Sequence, residues 1–275
     1  MVENQILIAV TPDPERFAFA RAAAAQTHER YNIGTYRERS QHLIFKRYFE
    51  PDTSKHEVPL CGYVADIFGD AGVIEIQTSG FGALRGKLEV FLQDHKVTLV
   101  YPRALKKRVI WTDPETGESF VGVYRRDPRA RYAVLAEMLY IAAFFPHPNL
   151  QVLNVLTAAS DHKLLDGYGK ERKKRATKKD TVPEELLEIV PLRSAEDVRR
   201  LLPLSSGDQI TREALGKLFG VGGRRLWNMI RFLEEIGILT RSGKEGKKII
   251  YTVVESDGSN DFATNAEKQQ AGQSK

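Results

Sequence analysis

Residues 63 to 77, YVADIFGDAGVIEIQ, constrain the fold more than any other stretch. They read as two short apolar strands joined by a Gly/Asp turn, with an acid inside each strand. Side chains alternate faces along an extended chain, so Glu75 and Gln77 share one face while Ile74 and Ile76 take the other. A hairpin brings Asp66 alongside Glu75. Strands that should be plain core therefore carry two carboxylates and an amide, and paired carboxylates suit a hard divalent cation such as Mg²⁺. A competing reading puts Asp66, Glu75 and Gln77 on the solvent face of an ordinary half-exposed hairpin.

The chain of 275 residues is 42% hydrophobic, enough to bury a sizeable core in one or two domains. Its apolar runs fall short of the roughly 18 residues a membrane span needs. The start, MVENQILIAVTPDPERF, lacks the basic region of a secretory signal. Cys61 is the single cysteine, which excludes a disulfide framework and a cysteine-based zinc site. These features lead to the expectation of a cytoplasmic protein with no membrane partner.

Charge is unevenly distributed. Residues 1 to 169 hold 20 basic and 20 acidic side chains, whereas KERKKRATKK at 170 to 179 holds seven basic and one acidic. Residues 211 to 254 hold nine basic and four acidic, a net of +5. A polyanion partner is expected at the basic run and the C-terminal module.

Periodicity supplies the elements. Pro14 to Thr27 reads as an Ala-rich helix after a candidate strand at Ile6 to Val10. Thr35 to Phe49 reads as a second helix, with Thr35 and Glu38 spaced as a capping box. Three short strands follow at His56 to Leu60, Tyr63 to Phe68 and Val73 to Gln77. Phe81 to Leu92 has helical spacing, and Arg85 and Lys87 read as solvated on it. Val97 to Tyr101 is a buried strand stopped by Pro102. A hairpin spans Val109 to Tyr124, Ala130 to Phe145 reads as a helix, and Leu150 to Ala158 as a strand. Beyond the basic run, helices are expected at Glu184 to Ile189, Ala195 to Leu202, Ile210 to Phe219 and Arg224 to Ile236, then a β-hairpin to Val254. The order predicts an α/β fold with a mixed sheet. The tail from 255 lacks apolar residues and reads as disordered.

A helix bearing Glu38, then Asp66, then Glu75-Ile-Gln77, then a helix and a strand resembles the PD-(D/E)xK nuclease superfamily over about residues 35 to 101. The resemblance implies a restriction-endonuclease-like α-β-β-β-α-β core and Mg²⁺-dependent phosphodiester hydrolysis of DNA. Asp66 and Glu75 match the motif's metal-binding acids, and Glu38 matches the first-helix glutamate of the resolvase-like branch. Gln77 stands where a lysine is usual; it hydrogen-bonds a water but carries no positive charge. Lys87, one helix later, is a substitute source of charge. A catalytically inactive nuclease-like core acting as a DNA-binding protein or transcriptional regulator is the alternative.

ITREALGKLFGVGGRRLWNMIRFLEEIGILTRSGKEGKKIIYTVV resembles a winged helix-turn-helix. The resemblance implies a recognition helix from Arg224, with Arg224, Arg225, Asn228 and Arg231 facing DNA and Lys244, Lys247 and Lys248 on a basic wing. In that helix Leu226, Ile230 and Leu233 are core, and Trp227 is expected between helices. The divisions expected are an N-terminal segment 1–34, a nuclease-like domain 35–169, a basic linker 170–183, a winged helix domain 184–254 and a tail 255–275. DNA is the expected partner, and a homodimer is left open.

Overall fold

The structure, a computed structural model, describes residues 11–30, 40–167, 176–246 and 248–255, with side chains of 27–30 excluded. The strand expected at Ile6 to Val10, the cap pair Thr35 and Glu38, Lys247, most of the basic run and the tail lie outside these residues.

Two helices come first, α1 (Pro14–Arg30) and α2 (Ser40–Phe49). Then β1 (His56–Leu60), β2 (Tyr63–Gly69) and β3 (Gly72–Ile76) form an antiparallel meander. The turn into β3 depends on Gly72: its φ is +86°, and a Cβ there would lie 2.4 Å from the Lys96 carbonyl oxygen. Helix α3 (Arg85–Asp94) then crosses over to β4 (Val97–Thr112), which runs parallel to β3.

Strand β4 continues well past Pro102, where the sequence suggested a stop. The β3 pairing ends at Ile76↔Val100, so the N–H that Pro102 lacks falls where no partner strand needs it. Short strands β5 (Ser119–Val121) and β6 (Arg125–Arg126) fold back on the outer half of β4. The expected helix over 130 to 145 is only partly α-helical: α4 (Ala133–Met138) sits between two 3₁₀ segments. Strand β7 (Leu150–Leu164) runs parallel to β4, and β8 (Thr177–Leu192) is antiparallel to β7 at the sheet edge.

Strand β8 corrects two expectations. Residues 184 to 189 are strand, not helix, and residues 177 to 183 of the expected linker belong to the same strand. The local sequence PEELLEI favours a helix, but pairing along the length of β7 overrides it, and Pro183 is tolerated because β8 is an edge. Glu184 and Glu188 then form cross-sheet ion pairs with Arg108 (2.6 Å) and Arg131 (2.7 Å).

The result is a mixed α/β sheet with order β1-β2-β3-β4-β7-β8, covered on both faces. Phe17, Phe45, Ile67, Ile74 and Val155 pack with α1 and α2 on one side. Val73, Leu88, Phe91, Leu99 and Met138 pack with α3 and α4 on the other.

That second core runs on into the C-terminal unit. The unit comprises α5 (Ala195–Leu201), β9 (Gln209–Thr211), α6 (Arg212–Phe219), α7 (Gly223–Glu235), β10 (Leu239–Glu245) and β11 (Lys248–Val253), with sheet order β10-β11-β9. Ser194 and Asp197 form the capping box of α5, and Gly220 closes α6 in the left-handed region at φ +64°. Helix α7 buries Leu226, Ile230 and Leu233 as expected, and also Asn228, Met229 and Phe232. Phe232 meets Phe145 with ring centroids 5.9 Å apart. No helix among the described residues is long and apolar enough to cross a membrane.

A shared core predicts shared stability. In a Trp227→Phe background, Trp111 on β4 is the one remaining tryptophan, distant in sequence from α7. Phe232→Ala should cost about 3–5 kcal/mol by opening a cavity, and the Trp111 urea midpoint should fall with it. An unmoved Trp111 midpoint, with the C-terminal unit melting separately, would contradict the shared core.

Candidate functional site

The paired-acid site forms where β2 and β3 stop pairing. Their ladder runs Gly69↔Gly72, Phe68↔Val73, Ile67↔Ile74, which sets Asp66 opposite Glu75 at the next step. There side chains replace the ladder. The Ile76 amide donates to Asp66 Oδ2 at 2.7 Å, and the Asp66 amide to Glu75 Oε1 at 3.4 Å. Each carboxylate thus takes a backbone donor from the opposite strand, holding the fork open while satisfying its N–H groups.

The remaining partners come from a helix on each face. His42 of α2 places Nε2 3.0 Å from Asp66 Oδ2. Lys87 of α3 donates from Nζ to both Glu75 oxygens, at 2.9 and 2.8 Å, and to the Val64 carbonyl at 2.7 Å. Glu75 is 2% exposed, which rules out the solvent-face reading of the hairpin.

Burial and the neighbouring Asp66 charge push the Glu75 carboxyl up to about 7, against the opposing pull of Lys87. Asp66 moves the other way. Burial pushes it up, but the His42 ring, the Ile76 amide and the Lys87 charge together hold it below its ordinary value. Two adjacent carboxylates therefore lie on opposite sides of their usual range, the separation expected of acid and base partners.

The other expected residues divide. Gln77 follows β3, and its amide donates to the Val100 carbonyl at 2.8 Å, so it stands at the open end of the β3–β4 pair. Glu38 lies outside the described residues, as does Lys247. Arg224 and Arg225 are exposed at the start of α7. Asn228 corrects that expectation: it is buried, and its Nδ2 donates to the Ala136 carbonyl and to Tyr140 Oη, both at 3.3 Å. Helix α7 packs on α4 through this flank. Trp227 is 49% exposed, not packed between helices. Arg231 pairs with Glu234 at 3.1 Å and Lys248 with Glu213 at 3.1 Å, while Lys244 is exposed on the hairpin.

From sequence Lys87 reads both as solvated and as a substitute source of charge, and it lies on Glu75; His42 is brought to Asp66 only by the packing of α2. The usable signal for Lys87 was the strand's missing lysine. Among the described residues, no group of three or more His, Cys, Asp or Glu is arranged to hold a metal ion. The donor set at the fork is two carboxylates whose mutual repulsion is offset by an ammonium. That chemistry fits a hard cation in place of, or beside, Lys87.

Comparison with known proteins gives a family but no activity. A family model described as Domain of unknown function (DUF8091) matches residues 39–193, more than half of the chain. The match runs from the start of α2 to the end of β8 and includes Asp66, Glu75, Gln77 and Lys87. An uncharacterized protein of Treponema pallidum (strain Nichols) is 29% identical over 230 residues, covering 80% of this chain and 86% of that protein. No solved structure matches.

The raised Glu75 value fixes a pH dependence. With the folded carboxyl near 7 and the unfolded one near its ordinary value of 4.5, the native state binds the extra proton between those values. Its stabilising contribution is present below about pH 4.5 and is lost as pH rises through 7, on the order of 3 kcal/mol in all. Asp66 has the opposite sign, losing stability as pH falls through its lowered value. Urea unfolding in EDTA should show wild-type stability declining from pH 5 to 7.5 relative to Glu75→Gln; parallel curves would contradict the shift.

Proposed function

The chain belongs to the Domain of unknown function (DUF8091) family, and we propose that it is a metal-dependent nuclease-like protein hydrolysing phosphodiester bonds in DNA. The observation that carries this reading is the open fork. Two carboxylates on adjacent strands, Glu75 buried and Asp66 half-buried, stand beside a lysine that bonds both oxygens of Glu75. The order α2-β1-β2-β3-α3-β4, with β1 to β3 antiparallel and β4 parallel to β3, supports a restriction-endonuclease-like core.

In this reading Asp66 and Glu75 would hold Mg²⁺, which would supply polarisation of the scissile phosphate and a lowered pKa for an attacking water. The chain's own groups do the rest. Lys87, relieved of Glu75, turns its ammonium toward charge developing on the phosphate oxygens. Gln77 hydrogen-bonds and orients the water but takes no proton from it. His42 fixes the Asp66 carboxylate in position.

The C-terminal unit supports a DNA partner. Its order α5-β9-α6-α7-β10-β11 supports the winged-helix reading, and Arg224, Arg225 and Lys244 are exposed cations suited to phosphates. Because Asn228 is buried on α4, it is removed from the set of side chains that α7 offers to bases.

One observation favours a second reading. Lys87 closes both Glu75 oxygens, which suits an inactive nuclease-like scaffold that binds DNA as a regulator. Cleavage of labelled plasmid and branched DNA with Mg²⁺ or Mn²⁺ separates the two. The nuclease reading expects activity that Asp66→Ala or Glu75→Ala abolishes and Lys87→Met lowers by about 10²-fold. DNA binding without metal-dependent cleavage supports the scaffold; cleavage unchanged in all three variants sinks the site.

A further inference from the structure

A second constellation lies beside the fork, on the long outer part of the sheet. A cleft of about 350 Å³ is lined by Gln41, Thr78, Arg103, Lys107, Lys178 and Lys179, with Asp161 and Thr181 at its floor. It adjoins the carboxylate pair through two elements. Gln41 precedes His42, which touches Asp66, and Thr78 lies two residues beyond Ile76, whose amide Asp66 accepts.

Its cations are ordered in a way that surface lysines seldom are. Asp161 is 5% exposed, and it accepts from Lys178 Nζ at 2.8 Å, Lys107 Nζ at 3.0 Å and the Thr181 hydroxyl at 2.7 Å. Burial pushes the Asp161 carboxyl up, but these three partners hold it below its usual value, so it stays ionised. Each ammonium has three N–H donors and spends only one on Asp161. The buried carboxylate thus fixes two lysines while leaving donors for a ligand.

Lys179 is aimed separately. The β7–β8 register steps from His162↔Asp180 to Lys163↔Lys178, so Lys179 is the extra residue of a bulge. A bulge redirects the side chain it carries, and this one makes no ion pair with a described residue. Arg103 stacks over the Tyr101 ring at 5.5 Å. The four basic side chains outnumber the two acids, Asp161 and Asp180, that line the same cleft.

We propose that this cleft is a phosphate seat for a nucleic-acid backbone, holding a phosphate next to the phosphodiester presented to Asp66 and Glu75. It deepens the nuclease reading and rests on it for the second half of that statement. It also moves the main substrate contact from the C-terminal unit to the sheet. Asp161 is a positioning residue, and Arg103 and Lys179 are the contacts.

The test is fluorescence anisotropy of a labelled DNA duplex against the full chain in EDTA, across a salt series. Arg103→Ala/Lys179→Ala should weaken binding about tenfold and flatten log K against log salt by about two, one per lost phosphate contact. Lys179→Ala alone, a change at an exposed residue, should flatten it by about one. Unchanged affinity and slope in the double variant would overturn the proposal, as would full displacement of the duplex by millimolar inorganic phosphate, which would mark a small-anion site. In cleavage assays the double variant should raise KM and leave kcat. A wild type without cleavage but with the altered slopes would retire the nuclease reading while leaving the phosphate seat.

Discussion

The parallel pairing of β3, β4 and β7 is the constraint on which the rest of this molecule depends. Strand β4 pairs with β7 over its whole length but with β3 only as far as Val100. That difference leaves an open corner at the end of β3, and both polar constellations sit there. Helices α2 and α3 cover opposite faces of the corner and supply His42 and Lys87 respectively. A shorter β4 would have provided neither the cleft nor the strand bearing Arg103 and Lys107.

The corner explains how a buried carboxylate, Glu75, and a half-buried one, Asp66, are accommodated. A buried carboxylate without partners is strongly unfavourable, so it neutralises or finds donors. Asp66 and Glu75 do some of both: each takes a backbone amide from the opposing strand, and Lys87 offsets the net charge, yet Glu75 is still raised to about 7. A core aliphatic pair would have closed the ladder at lower energetic cost. Desolvated charge is thus kept at one place in an otherwise apolar part of the sheet.

Much of this was legible in the sequence. The Gly/Asp turn between two apolar runs fixes the β2–β3 register, and with it the meeting of Asp66 and Glu75, because that information is local. Helix α7 was equally readable from the spacing of Leu226, Ile230 and Leu233. What failed was non-local. PEELLEI looks helical until β7 pairs with it, and Pro102 looks terminal until β3 is seen to end first. Asn228 looks like a DNA contact until α4 arrives on the same flank, and Lys87 looks solvated until Glu75 proves buried. In each case a partner more than ten residues away decided the outcome, and no periodicity encodes that partner.

Both constellations lie in one part of the chain. The family match spans α2 to β8 and so contains the fork and the whole lined cleft, while the C-terminal unit lies outside it. That unit is bound to the sheet domain through α4 and α7, which makes it a fixed flank beside the corner. The central claim is that Asp66 and Glu75 are a cation site that Lys87 closes from within. Titration of Mn²⁺ followed by electron paramagnetic resonance tests it most directly. One Mn²⁺ should bind per chain, tighten in Lys87→Met and vanish in Asp66→Asn/Glu75→Gln; no bound Mn²⁺ in the wild type or in Lys87→Met, or binding that survives loss of both acids, would contradict it.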